Sequence, residues 1–231
     1  MKIDLITLFP GMIRGFLEES MLGRAQEKEL LTVGVHDLRQ WGEGKHRIVD
    51  DRPFGGGAGM LLKPGPLGEA LDAVESPEAT RIYLCPDGEP LTTNLAKELA
   101  AKPHLVLLSG HYEGIDERIR TSRIDREVSI GDYVLTNGTL AAAVLIDAVA
   151  RHIPGVLGEE KSLTQDSFSD SLLSFPQFTR PAIYRGMAIP DILLTGNHEA
   201  IAAWRQEQRE LRTRSRRPDL FLSPNSNKPE K

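Results

Sequence analysis

Apolar residues in this chain gather into short runs that end abruptly at glycine-containing turns. Lys2–Phe9 (KIDLITLF) alternates and then fills with apolar side chains, which predicts a first strand. Pro10 suits the first turn of a helix covering PGMIRGFLEESML, where its missing N–H is not needed. Leu30–Leu38 predicts a second strand, Pro66–Val74 a helix and Arg81–Cys85 a further strand. A turn at Asp87-Gly88 leads into a helix over Leu91–Ala101, and His104–Ser109 is the next strand. A second apolar run, REVSIGDYVLTNGT, stops at Gly131 and again at Asn137-Gly138, and the long apolar pattern LAAAVLIDAVARHIP follows. Alternation of strand and helix predicts α/β architecture around a mainly parallel sheet.

That pattern also suggests a site. Strands that are apolar throughout are buried on both faces, and ligands of parallel sheets bind where the strands end and loops begin. Glycine there lets a ligand approach the backbone closely. A ligand site built from main chain is therefore expected around Gly110 and Ile130–Gly138, although the same glycines would serve equally as plain turns.

Beyond Pro154-Gly155 the character changes. Residues 158–168 (GEEKSLTQDSF) are polar and patternless and read as a linker. Pro176, Pro181 and Pro190 punctuate short segments before a helix begins near Asn197, a favourable N-cap with Glu199 in the first turn. Ile201, Trp204 and Leu211 share one face of it; Arg205, Arg209, Arg212 and Arg216 share another. Ser223–Lys231 is polar and expected to fray.

Composition narrows the class. The chain has 231 residues, 40% of them hydrophobic, and can bury a sizeable core. No apolar run reaches membrane-spanning length and MKIDLITLFP lacks a cleavage pattern, so a cytoplasmic address is expected. The single cysteine, Cys85, excludes an internal disulfide and a multi-cysteine zinc site, and its place at the end of a strand marks a structural thiol. No metal site is expected from the sequence. A net charge of −5 means that any nucleic-acid function rests on local basic surface. The arginine stripe is such a surface, because arginines stacked at helical spacing repel one another and suit an anionic partner. A solvated helix face would read the same way.

Lys45-His46-Arg47, Arg52 and the run Gly55, Gly56, Gly57, Ala58, Gly59 form a second candidate anion site. It has neither the ending of a P-loop nor the spacing of a Rossmann fingerprint. Asp50 and Asp51 would repel phosphate and better suit a base edge, or the orientation of Arg52. Glu113, Asp116, Arg151, Asp166 and Asp170 are the candidate acid–base groups, and no Ser/His/Asp order or HExxH spacing is present.

Across nearly its whole length the chain resembles the bacterial tRNA (guanine-37-N1)-methyltransferase family, a knotted branch of the SPOUT methyltransferases. The resemblance is carried by LFPGM, GRA, VDDRPFGGGAGM, GHYEGIDER, SIGDYVLTNG, LIDAVARHIPGVLG, DSFSD and FTRP, in the family's order. It implies a knotted α/β domain over 1–157 with a deep trefoil knot in its C-terminal part, a linker over 158–168, and a small helical tRNA-binding domain over 169–231. It implies S-adenosylmethionine as methyl donor, with Mg2+ left open as an assistant. The cofactor would meet Tyr83, Leu84, Cys85, Pro86, Gly110, Ile130, Gly131, Asp132, Tyr133, Val134, Leu135 and Gly138. Asp166 would be the general base, assisted by Arg151 and Glu113. Asp50, Arg52, Gly55, Gly56, Gly57 and Gly59 would contact the anticodon loop, and Arg205, Arg209 and Arg212 the phosphates. The implied partners are a tRNA with guanine 3′ to its anticodon and a second copy of the chain, forming a homodimer with composite active sites, and no membrane.

The chain departs from the family pattern at Asn137, Thr139 and Ala141 in TNGTLAA, at Ser171 beside the expected base, and at His111, where arginine is also frequent. Two other readings compete: a knotted methyltransferase acting on another base or RNA, and a non-catalytic RNA-binding factor that keeps the fold.

Overall fold

The computed structural model describes residues 1–158 and 165–221. The chain separates into two compact units, Met1–Gly158 and Glu159–Lys231. Most of the expected linker, residues 159–164, and the whole of the expected fraying tail, 223–231, lie outside the described residues.

The first unit is built on a parallel sheet of five strands: β1 (Lys2–Thr7), β2 (Thr32–Asp37), β5 (Ala79–Pro90), β6 (His104–Ser109) and β7 (Arg126–Ser129), in the order β2-β1-β6-β5-β7. β6 is buried at every position. Leu105 and Leu107 point into a core with Ile3, Leu5, Leu145 and Ile146, while Val106 and Leu108 point into a second core with Ile6, Leu67 and Leu71. Helices therefore cover both faces. α1 (Arg14–Glu18), α2 (Ser20–Glu27), α4 (Thr93–Ala100) and α6 (Thr139–Ala150) lie on one side, and α3 (Pro64–Val74) and α5 (Glu117–Arg123) on the other.

The expected α/β class with a parallel sheet is observed, with local differences. The helix expected from Pro10 is broken into a 3-10 turn, α1 and α2, because Glu19 turns extended and Ser20 takes a positive φ of 56°. The turn expected at Asp87-Gly88 is instead an irregularity inside β5, where the register against β7 jumps between Leu84 and Glu89. Gly88 makes that possible, since a Cβ there would lie 2.5 Å from backbone atoms of Glu127 and Val128. Short antiparallel strands β3 (Asp50–Asp51) and β4 (Leu61–Leu62) frame the glycine run, which the pattern of glycine and charge did not reveal.

In the second unit the helix α7 (His198–Arg216) begins at Asn197, whose side chain accepts a hydrogen bond from Ala200 N at 3.1 Å, as its sequence indicates. Its buried residue is Thr213, whose Oγ1 accepts from Leu173 N at 2.9 Å. Leu211, expected on the apolar face, is exposed. A hairpin of β8 (Ile183–Tyr184) and β9 (Met187–Ala188) precedes the helix. No helix among the described residues is long and apolar enough to cross a membrane.

Candidate active site

Three main-chain segments meet at the irregular part of β5 and the carboxyl ends of β6 and β7 and enclose a cavity of about 250 Å³. Tyr83, Leu84, Cys85 and Pro86 come from β5, and Gly110 through Gly114 from the loop after β6. Val128 through Gly131, then Tyr133, Val134, Leu135, Asn137 and Gly138, come from the end of β7 and the loop into α6. Such a backbone-rich hollow beyond strand ends is where parallel sheets bind small ligands. Of the residues expected to meet a cofactor, only Asp132 is absent from this lining.

Hydrogen bonds tie the segments together. Gly138 N donates to Gly110 O at 2.8 Å, and His111 and Asn137 form an antiparallel bridge. Beneath them Thr139 is buried, with its Oγ1 2.8 Å from Thr7 Oγ1 and 3.1 Å from Ser109 Oγ. Asn137 does not use a left-handed conformation; its Oδ1 accepts from Thr139 N at 2.9 Å and caps α6. The threonine that departs from the family pattern thus joins β1, β6 and α6 through hydroxyls.

One side of the cavity is held by Arg120. Its guanidinium pairs with Asp87 on the irregular part of β5 and with Glu127 on β7, and lies 5.8 Å from the centre of the Tyr83 ring. The Arg120 guanidinium holds both carboxyls below their ordinary values. Burial, then the hydrogen bond with Asp87 and the charges of Asp87 and Glu127, push the Cys85 thiol up to about 12. Burial pushes Tyr83 up to about 12 as well. Cys85, Asp87 and Glu127 cluster closely enough to suggest a metal site among the described residues. Arg120 already pairs with both acids, so the cluster acts as a clamp.

On the other side the glycine run reaches the cavity wall. Glu113 N donates to Met60 O at 3.0 Å, and Leu62 N to Gly114 O at 3.0 Å. The Glu113 side chain lies against Gly59, whose φ is +84°. Asp50, at the start of this hairpin, is half-buried, whereas Arg52, Gly55, Gly56 and Gly57 are exposed.

Sequence reasoning gave His111 no role, yet it lines the cavity. Its Nδ1 is buried with no hydrogen-bond partner among the described residues, and its ring is 5.0 Å from that of Phe9 and 4.1 Å from that of Tyr112. A buried nitrogen without a partner in the wall of a hollow fits a ligand carrying a polar group. Only a structure could reveal it, since nothing in the sequence tells which side of the ring is enclosed.

The remaining expected residues lie elsewhere in the chain. Arg151 caps the carboxyl end of α6 in the first unit, and Asp166 belongs to the second. Ser171 takes a φ of +70°, a region that glycine enters without strain. On α7, Arg209 pairs with Asp170 and Arg205 stacks 4.7 Å from the centre of Phe175, so part of the expected cationic stripe is engaged within its own unit. Among the described residues Arg212 forms no ion pair.

The model of the family described as tRNA (guanine-1)-methyltransferase TrmD matches residues 1–223. A tRNA (guanine-N(1)-)-methyltransferase of Geobacillus kaustophilus is 55% identical over 223 residues, covering 96% of this chain and 91% of the relative. The proteins of the same description from Chloroflexus aggregans and Staphylococcus carnosus are 52% and 53% identical, each over 96% of this chain and over 88% and 91% of their own lengths.

Proposed function

Since the chain belongs to the tRNA (guanine-1)-methyltransferase family, we propose that it transfers a methyl group from S-adenosylmethionine to N1 of the guanine immediately 3′ to a tRNA anticodon. The observation that carries this reading is the cavity formed by Tyr83–Pro86, Gly110–Gly114 and the residues from Val128 to Gly138. Its main-chain lining and the orphaned His111 Nδ1 suit a hydrogen-bonding cofactor held in a bent shape.

When bound, the sulfonium supplies an already activated methyl group, so the protein need not provide a nucleophile. The chain's task is to make guanine N1 nucleophilic and to place it. Asp166 is assigned as the general base that accepts the N1 proton as the new carbon–nitrogen bond forms. Arg151 is assigned to the negative charge that grows towards O6, with Glu113 assisting from the cavity wall. Asp50, Arg52 and the glycine run would receive the anticodon loop, and exposed arginines of α7 the phosphates. Mg2+ remains an open partner of this chemistry.

A trefoil knot is part of the same proposal. The chain leaving β7 at the sheet edge returns past the end of β5 to bond Gly110 after β6, a route that suits threading. A homodimer is supported by Met12, Phe16, Leu140 and Val144, which are half-exposed although large and apolar.

The test is methyl transfer to undermodified tRNA transcripts with and without guanine beside the anticodon. Methylation confined to the guanine-bearing transcript, and lost by about a hundredfold or more in Asp166→Ala with cofactor affinity retained, is expected. Methylation independent of that base, or equal loss of rate and cofactor binding in the variant, would overturn the reading.

A further inference from the structure

Phe54 is completely exposed, at the tip of the loop between β3 and β4. An aromatic ring held wholly in water forgoes about 1.5–3 kcal/mol that burial would bring. Gly55, Gly56 and Gly57 take φ values of 87°, 80° and 119°, and nothing lies within 4 Å of where their Cβ atoms would be. Their glycine identity therefore serves the backbone path and leaves open space around the ring. Gly56 N donates to Pro53 O at 3.3 Å, and the base of the hairpin is tied to the cavity wall through Glu113 and Met60. The surroundings are cationic: Lys45 and Arg47 enter β3, Arg52 leaves it, all three are exposed, and none forms an ion pair among the described residues.

We propose that Phe54 is a stacking platform for an unpaired nucleobase next to the base being modified. The inference rests on the RNA substrate proposed above and adds a residue to its recognition. An enzyme that works on a base must draw it out of its stack, which leaves the neighbouring base with a bare face. An aromatic ring held out in solvent beside cations without ion pairs replaces that lost partner, and does so for any base because every base has a π-face. Asp50 and the main chain of the loop can then read edges while Phe54 holds the plane.

The experiment measures affinity for an anticodon stem-loop RNA, affinity for S-adenosylmethionine and sedimentation mass, for the wild type and for Phe54→Ala, Phe54→Leu, Phe54→Tyr and Phe54→Trp. The Ala and Leu variants are expected to bind the RNA roughly 5- to 100-fold more weakly, with Tyr and Trp within about threefold of wild type. Cofactor affinity and mass stay unchanged. Wild-type affinity in Phe54→Leu would mean greasy contact and not stacking, and wild-type affinity in Phe54→Ala would remove the role altogether. A changed mass would mean that a second copy of the chain covers the ring. Any one of these three results overturns the proposal. RNA binding is read apart from methylation, so a failure of guanine methylation in the wild type would strike the functional reading and leave this test interpretable.

Discussion

Glu113 folds its side chain over the bare α-carbon of Gly59, so that a Cβ on Gly59 would lie 2.6 Å from Glu113 Cγ. Two parts of the site that are far apart in sequence, the glycine run and the loop after β6, are thereby fixed against each other.

Gly59→Ala should therefore do two kinds of damage. At a φ of +84° a side chain costs about 1–2 kcal/mol, and the added methyl must push Glu113 from its place in the cavity wall. Gly44→Ala separates the two, because Gly44 has a φ of +65° with open space around it and no assigned contact with cofactor or RNA. Both variants should melt earlier, but only Gly59→Ala should lose about tenfold or more in methyl transfer. Equal losses in the two would show that the contact with Glu113 does not matter.

Arg120 joins the irregular part of β5 to β7 and stands over Tyr83, at the edge of the cavity. Arg120→Met keeps the bulk and leaves Asp87 and Glu127 facing each other unpaired. Stability should fall by about 1–3 kcal/mol, nearer the low end because Asp87 is exposed to water. Lysine cannot bridge two carboxylates with a planar fork, so Arg120→Lys should recover only part of the loss. Thermal melting and calorimetric titration with S-adenosylmethionine read both consequences, and weaker cofactor binding is expected to exceed any loss of turnover at saturation. Normal cofactor affinity in Arg120→Met would reduce the clamp to a surface salt bridge.

How far the sequence spoke for this site depends on the length scale of the signal. β6 was legible to the residue, since its central run Leu105–Leu108 is buried on both faces and apolar throughout, bounded by His104 and Ser109. The cavity was legible as glycine turns at strand ends, because main-chain approach needs residues without bulk. Arg120 was not. It lies on a short helix that also carries Glu117, Arg118 and Arg123, and only the jump of register in β5 brings Asp87 and Glu127 within its reach. The break at Glu19 was hidden for a similar reason, since the apolar pattern there continues across a backbone that does not.

Asp4 is buried on β1 and receives Lys2 Nζ, His36 Nε2 and His104 Nε2, each at 2.7 Å. Burial alone would raise its carboxyl; the hydrogen bonds from Lys2, His36 and His104, with the charge of Lys2, outweigh it and hold the group below its ordinary value of 3.8. A folded-state value below the unfolded one means that Asp4 stabilises the fold above about pH 4 and loses that contribution as pH falls through the folded value. Asp87, Asp116, Asp125 and Glu127, all held low by arginines, act in the same acid window. The Asp4 share is the difference between wild type and Asp4→Asn. Urea unfolding at pH 7 should find the variant weaker by about 1–3 kcal/mol, and the gap should close as pH falls below about 4. A gap that persists undiminished in acid would mean that packing, and not the charge, is responsible.

Arg209 and Arg212 sit within one turn of α7 but have different work. Arg209 is mostly buried, pairs with Asp170 and donates to Leu173 O at 3.4 Å, so it binds the segment before the hairpin to the helix. Arg212 has no ion pair among the described residues and is available to a phosphate. Arg209→Ala strands a carboxylate and should lower the melting temperature. Arg212→Ala should leave melting nearly unchanged. In tRNA binding measured over a range of salt, Arg212→Ala should weaken affinity and reduce the slope of log K against log salt by about one, the signature of a lost phosphate contact. Arg209→Ala should shift affinity only as far as its folding is impaired and keep the slope. If Arg209 carried the slope and Arg212 did not, the arginine engaged within its own unit would have to exchange Asp170 for RNA on binding, and the division of labour along the helix would be reversed.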